Sequence, residues 1–163
     1  MRSAPVNRQY HAVIQAPFAH LGVILLPQGV QRIDFLPLDY PLQPSSHEHV
    51  LSLIRVLEQY WRDPALSLGL PLIYQGSAHQ LRVWQALLDI PVGQTRSYGE
   101  IARQIGSSPR AVGQACGANP LPILIPCHRV VGQSSRGGFM HRQDSAALAC
   151  KDWLLQHEVR DES

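Results

Sequence analysis

The spacing of apolar positions divides the chain into a strand-forming part and a helical part. Residues 11–15 (HAVIQ), 22–26 (GVILL) and 31–36 (QRIDFL) are short runs of apolar and β-branched residues. Pro17, Pro27 and Gly29 separate them, and the last pair predicts a hairpin turn over 26–30. After a break at Pro41 and Pro44 the period lengthens. Val50, Leu53, Ile54, Leu57 and Trp61 recur at helical spacing, and Asp63-Pro64 ends the run. Ser45 and Glu48 have the Ser-x-x-Glu form of a capping box and predict its start. The expected product is a three-stranded sheet with one helix packed on it.

Residues 66–75 read as an extended connector, which places a boundary between a domain over 1–75 and another over 76–163. The second is helical. Ser77 with Gln80 is a capping box ahead of Leu81, Trp84, Leu87 and Leu88 on one face. Ser97 with Glu100 opens the next helix, whose inner face is Ile101, Ala102 and Ile105, and Gly106 stops it. Ser108 as N-cap and Pro109 at the first helical position start a helix over 110–118. Two short helices joined by Gly-Ser-Ser have the form of a helix-turn-helix, and ordinary helical cores contain such pairs too. The second helix is unusually small-sided (Ala111, Gly113, Ala115, Gly117, Ala118). Arg110 lies in its first turn, where a cation opposes the helix dipole. The last helix carries Ala147, Cys150, Trp153, Leu154 and His157 as its expected buried stripe.

Composition narrows the class. A net charge of +2 leaves any nucleic-acid contact to local arrangement rather than to a basic body. The N-terminus has no signal-like apolar region, and no run approaches the ~20 apolar residues that span a bilayer. A cytoplasmic protein without membrane contact is expected. Cys116, Cys127 and Cys150 are odd in number and lack paired ligand spacing, which argues against a disulfide framework and a zinc site.

The chemistry concentrates at residues 119–132, NPLPILIPCHRVVG. Pro120, Pro122 and Pro126 bracket a short apolar run and stiffen it, so an irregular segment is expected rather than a central strand. It delivers Cys127 directly against His128. A free thiol is only a few per cent thiolate at neutral pH, and a nearby histidine raises that fraction. Adjacent residues of an extended segment point apart, so His128 reaches Cys127 only through a water or a bend. A buried, inert cysteine is the competing reading for Cys127, as it is for Cys116 and Cys150.

Four motifs in order, SYGEIA (97–102), RAVGQA (110–115), NPLPILIPCHRVVG (119–132) and KDWLLQHE (151–158), closely resemble the O6-alkylguanine-DNA alkyltransferases. The resemblance implies an α+β protein. Its parts would be a small ribonuclease-H-like sheet-plus-helix domain for structural support, and a helical DNA-binding and alkyl-acceptor domain with a winged-helix-like helix-turn-helix. It further implies irreversible transfer of an alkyl group from O6-alkylguanine, or O4-alkylthymine, in double-stranded DNA to Cys127. No cofactor, metal or obligate protein partner is implied, and a monomer is expected.

By the same resemblance, His128 takes the thiol proton through a bridging water, Glu158 orients that histidine, and Asn119 braces the turn. Tyr98 donates to the leaving guanine, and Arg110 fills the space of the flipped base. The Cys127 and Val130 carbonyls accept from the guanine amino group, while Ala111, Gly113 and Pro122 belong to the DNA and substrate surface. Past Gly132 the chain departs from the family pattern. The loop QSSRGGFMHRQD (133–144) keeps paired glycines, Gly137 and Gly138, but lacks the aromatic residue before them. It carries no catalytic assignment, and an altered tolerance of bulky alkyl groups is expected. Two other classes remain. A non-catalytic lesion binder is disfavoured by a cysteine at 127, and a cysteine hydrolase finds no sequence sign of an oxyanion hole.

Overall fold

A computed structural model describes residues 9–65, 69–132 and 145–159. The architecture is α+β, and the chain divides into two compact units, Met1–Tyr74 and Gln75–Ser163.

In the first unit β1 (Ala12–Gln15), β2 (His20–Leu26) and β3 (Gly29–Leu36) form an antiparallel sheet in sequence order. The β2–β3 hairpin turns at Pro27-Gln28, with an irregularity between Ile24 and Leu25 that shifts the register. Side chains alternate across the sheet. Val13 and Leu36 cluster with Tyr10 on one face, while Ala12 and Ile14, their neighbours or near-neighbours in β1, are buried as well. Helix α1 (Glu48–Arg62) packs against β3 and buries Val50, Leu53, Leu57 and Tyr60. Phe18 meets Phe35 and Trp61 edge to face, with centroids 5.6 and 5.9 Å apart.

Two sequence readings change here. The N-cap of α1 is His47, whose imidazole accepts from the His49 N–H. Ser45 instead accepts from the His47 N–H, so the Ser45–Glu48 capping box does not form. The buried face of α1 is also rotated: Tyr60 is buried, while Ile54 and Trp61 are half-buried.

The second unit contains α2 (Ala78–Leu88), β4 (Arg96–Ser97), α3 (Tyr98–Ile105), α4 (Pro109–Gly117), a 3-10 turn (Cys127–Arg129), β5 (Val130–Val131) and α5 (Ser145–Val159). Both predicted capping boxes form, Ser77 with Gln80 and Ser97 with Glu100. Gly106 ends α3 at φ 72°, a left-handed conformation that glycine adopts without a Cβ clash. Ser108 caps α4 through the Ala111 N–H. The core face of α2 is Val83, Trp84, Ala86 and Leu87, rather than one including Leu81 and Leu88; Leu81 is exposed. The Trp84 indole sets this rotation, because its N–H donates 2.9 Å to the Ala115 carbonyl and ties α2 to α4.

Candidate active site

The active-site segment is built by turns rather than by a strand. Asn119, almost fully buried, takes the Leu121 N–H on Oδ1 at 2.9 Å and donates Nδ2 to the Ile125 carbonyl at 2.8 Å. Between these anchors Ile123 adopts φ 76° with its side chain buried. That conformation is strained for a β-branched residue, at about 1–3 kcal/mol. Pro126 (φ −80°, ψ 66°) then forms an inverse γ-turn, with the Cys127 N–H donating 2.8 Å to the Ile125 carbonyl. The next residues close as a 3-10 turn, in which the Val130 N–H donates to the Cys127 carbonyl. Cys127 and His128 are therefore on a tight helical turn, and the extended geometry assumed from sequence does not apply.

His128 is wholly buried, and its Nε2 lies 2.7 Å from Glu158 Oε2. A carboxylate only accepts, so Nε2 carries the proton and Nδ1 presents the lone pair of the neutral ring. That Nδ1 is buried with no hydrogen-bond partner among the described residues. Arg129 completes the cluster. Its Nε and Nη2 donate to Glu158 Oε1 and Oε2, each at 2.8 Å, and Nη1 donates 2.6 Å to the Ile90 carbonyl. One carboxylate thus holds both side chains that follow the cysteine.

Burial and charge set the protonation states. Burial alone would raise the Glu158 carboxyl, but the hydrogen bonds and charges of His128 and Arg129 outweigh it and hold it well below the usual carboxylate range. Burial lowers His128 more than Glu158 raises it, so the imidazole is neutral at rest. The Cys127 thiol, 3% exposed, is pushed up to about 11 by burial, against a hydrogen bond with Asn119 and the charge of Lys151. The resting thiol keeps its proton at neutral pH, and making the nucleophile requires a base. His128 Nδ1 is the acceptor available in the adjoining residue.

Parallel pairing of Arg96 with Val130 and Ser97 with Val131 brings the start of α3 beside this turn. Tyr98, the first residue of α3, is half-buried, and its phenol is raised to about 12 by burial and by the neighbouring Cys116 and Cys127. Arg110 is exposed in the first turn of α4. Ala111 and Gly113 are half-buried on α4, and a Cβ at Gly113 would meet the Tyr98 ring at an ordinary 3.9 Å. Packing within the protein therefore does not require glycine there. Pro122 is buried in the bracketed loop and bridges to Ile125. Gly137 and Gly138 lie outside the described residues.

Two charged residues escaped the sequence reading. Arg129 and Lys151 look like surface charges in a one-dimensional pattern, yet both are buried. The stripe of α5 accordingly includes Lys151 and Glu158, while Cys150 and Trp153 are only half-buried. The available signal was their position inside apolar periodicity, Arg129 after the loop and Lys151 three residues before Leu154. Among the described residues, no group of three or more His, Cys, Asp or Glu gathers to hold a metal, and no helix is long and apolar enough to cross a membrane.

Residues 78–160 match the family description "6-O-methylguanine DNA methyltransferase, DNA binding domain". The methylated-DNA–protein-cysteine methyltransferase of Methanosarcina acetivorans is 35% identical over 160 residues, covering 91% of this chain and 97% of that protein. The crystal structure of the Mycobacterium tuberculosis O6-methylguanine methyltransferase superposes with a TM-score of 0.77 at 33% identity, covering 91% of this chain and 92% of that one. The M. tuberculosis OGT in complex with DNA gives a TM-score of 0.73 at 34% identity, covering 90% of both chains. This chain therefore belongs to the methylated-DNA–protein-cysteine methyltransferases, which repair DNA by moving an alkyl group from the base to a cysteine of the protein.

Proposed function

We propose that Cys127 is the acceptor and that it reacts once. The Cys127 Sγ–H proton passes through a water to His128 Nδ1, with Nε2–H held on Glu158. The thiolate displaces the O6 oxygen from the alkyl carbon in line, forming the S–C bond as the C–O bond breaks. The electron pair stays on guanine, and Tyr98 protonates it as charge develops. Tyr98 regains a proton from the relay, so the products are S-alkylcysteine and unmodified guanine. The observation that carries this reading is the His128–Glu158 pair: it fixes the tautomer with an acceptor nitrogen in the residue next to a buried, protonated thiol.

A thiol this deeply buried is out of reach of a stacked base, so the lesion is turned out of the duplex. Arg110, exposed at the start of α4, fills the gap, and the small residues Ala111 and Gly113 let α4 approach the minor groove. Pro122 belongs to the substrate surface, and the Cys127 and Val130 carbonyls receive the guanine amino group. Residues 76–163 form the reactive domain, residues 1–75 support it, and the chain works as a monomer without a protein partner. O4-alkylthymine presents a related alkyl–oxygen bond and is proposed as a second substrate.

The test is incubation with duplex DNA containing O6-methylguanine, followed by peptide mass spectrometry. A methyl group on the Cys127 peptide, absent in Cys127→Ser, is the expected result; O4-methylthymine DNA tests the second substrate in the same assay. Binding without an adduct would favour a lesion-recruiting protein. Release of a hydrolytic product over many turnovers would favour a hydrolase. Arg110→Ala is expected to slow repair of duplex DNA more than reaction with free O6-methylguanine, and equal slowing would remove its stack-filling role.

A further inference from the structure

Helix α2 carries two polar side chains that the transfer chemistry leaves unused. His79 and Arg82 are three residues apart and so lie on one face of the helix. The His79 Nε2 and the Ser107 hydroxyl are hydrogen-bonded at 2.7 Å. Arg82 Nη2 donates to the Ile105 carbonyl. That carbonyl belongs to the last turn of α3, where no intrahelical N–H reaches it and a cation is favoured. Both contacts therefore land on one short stretch, Ile105-Gly106-Ser107, at the end of α3.

This stretch is the turn between α3 and α4. The Gly106 and Ser107 N–H groups both close on the Ala102 carbonyl, and Ser108 caps α4. Those bonds define the end of each helix, but not where the turn sits against α2. Packing leaves the same freedom. Helix α4 is anchored from the buried Val112 onward and through the Trp84–Ala115 bond, whereas Ser108, Pro109 and Arg110 ahead of it are exposed. A cleft of about 350 Å³ separates the first turn of α2, at Ser77, His79 and Gln80, from Ala111 and Gln114. The start of α4 is thus held to α2 through the turn, by His79 and Arg82. We propose that these two side chains are positioning residues for DNA docking: from α2 they clamp the turn and set where Arg110 meets the duplex. The role rests on α4 being the helix that faces DNA, with Arg110 in the base stack, as proposed above.

Single-turnover methyl transfer tests it, with O6-methylguanine duplex at rising concentrations and with free O6-methylguanine. The chains are wild type, His79→Ala, Ser107→Ala, the double variant, Arg82→Met and Arg82→Lys, and thermal unfolding checks each fold. Losing one ordinary hydrogen bond lowers the fraction of chains with the turn in place. The half-saturating duplex concentration is therefore expected to rise about three- to tenfold, with the free-base rate unchanged. Arg82→Lys, which keeps a charged donor, is expected to retain most of the wild-type affinity. The double variant is expected to be no worse than either single one, because His79 and Ser107 share one bond. Neither side chain meets a phosphate in this account, so the dependence of affinity on salt is expected to keep its slope. A slope reduced by about one in a variant would make that residue a phosphate contact and overturn the clamp. Unchanged duplex affinity in folded variants would also overturn it, as would equal slowing with the free base. Ser107→Ala removes a single oxygen from a half-buried residue and decides the matter if His79→Ala does not fold. Arg110→Ala is run alongside. If it shows no duplex-specific loss while the clamp variants do, the stack-filling role fails and the clamp stands.

Discussion

At the scale of single residues, the site depends on which charges are paired. Glu158 accepts from both His128 and Arg129 at 2.7–2.8 Å, and all three side chains are buried. Removing one member of such a cluster leaves an uncompensated buried group, which costs far more than the net worth of the pair. Arg129→Gln is expected to lower unfolding free energy by about 3–5 kcal/mol in a urea titration. A loss below about 1 kcal/mol, the scale of an exposed pair, would show that the guanidinium is not structurally committed. Cys127, His128 and Glu158 were legible because a cysteine beside a histidine is rare enough to notice, and the resemblance then supplied the distant carboxylate. Arg129 and Lys151 were not legible. Arg129 pairs with the Glu158 carboxylate 29 residues away and with the Ile90 carbonyl 39 residues away, and Lys151 donates to the Val130 carbonyl 21 residues away; the backbone carbonyls carry no side-chain signature.

At the scale of elements, local chemistry was readable and side-chain competition was not. The boxes at Ser77 and Ser97 satisfy helix N-termini with residues three apart, and both form as the sequence indicates. At α1 a nearer acceptor, the His47 imidazole, takes the cap, and the serine pattern misleads. The Ser97 cap also matters to the site, because the next residue is Tyr98 and Ser97 itself pairs with Val131. Ser97→Ala is expected to cost about 1 kcal/mol of stability, measured by chemical denaturation, and to slow alkyl transfer by loosening the start of α3. Unchanged transfer kinetics with the stability loss would separate the cap from the positioning of Tyr98. The loop before Cys127 illustrates the same limit. Its prolines announced stiffness, but the positive φ of Ile123 arises from the Asn119 brackets, and nothing in an isoleucine predicts it.

At the scale of the whole molecule, buried titratable groups set a pH window for folding. Burial depresses His128, so the unfolded chain takes up that proton first. The stability linked to it is complete above about pH 6.5 and is lost as pH falls through the lower folded value. Glu158 is also depressed, and its contribution is complete above about pH 4.3 and lost further into acid. Cys127 is raised to about 11, and Cys116 is raised more strongly by burial. Their contribution is complete below about pH 8.5 and lost as pH rises toward the folded values. Melting temperature against pH is therefore expected to show a plateau between about pH 6.5 and 8.5, with His128→Gln flattening part of the acid slope. A steady rise or fall across that range would contradict these assignments. The central claim is a single alkyl transfer to Cys127. Its most direct measurement is the stoichiometry of label transferred from excess duplex DNA carrying isotopically labelled O6-methylguanine. One label per chain, all on the Cys127 peptide, with none added by fresh DNA, is the predicted result. Label elsewhere, or more than one repaired base per chain, would contradict it.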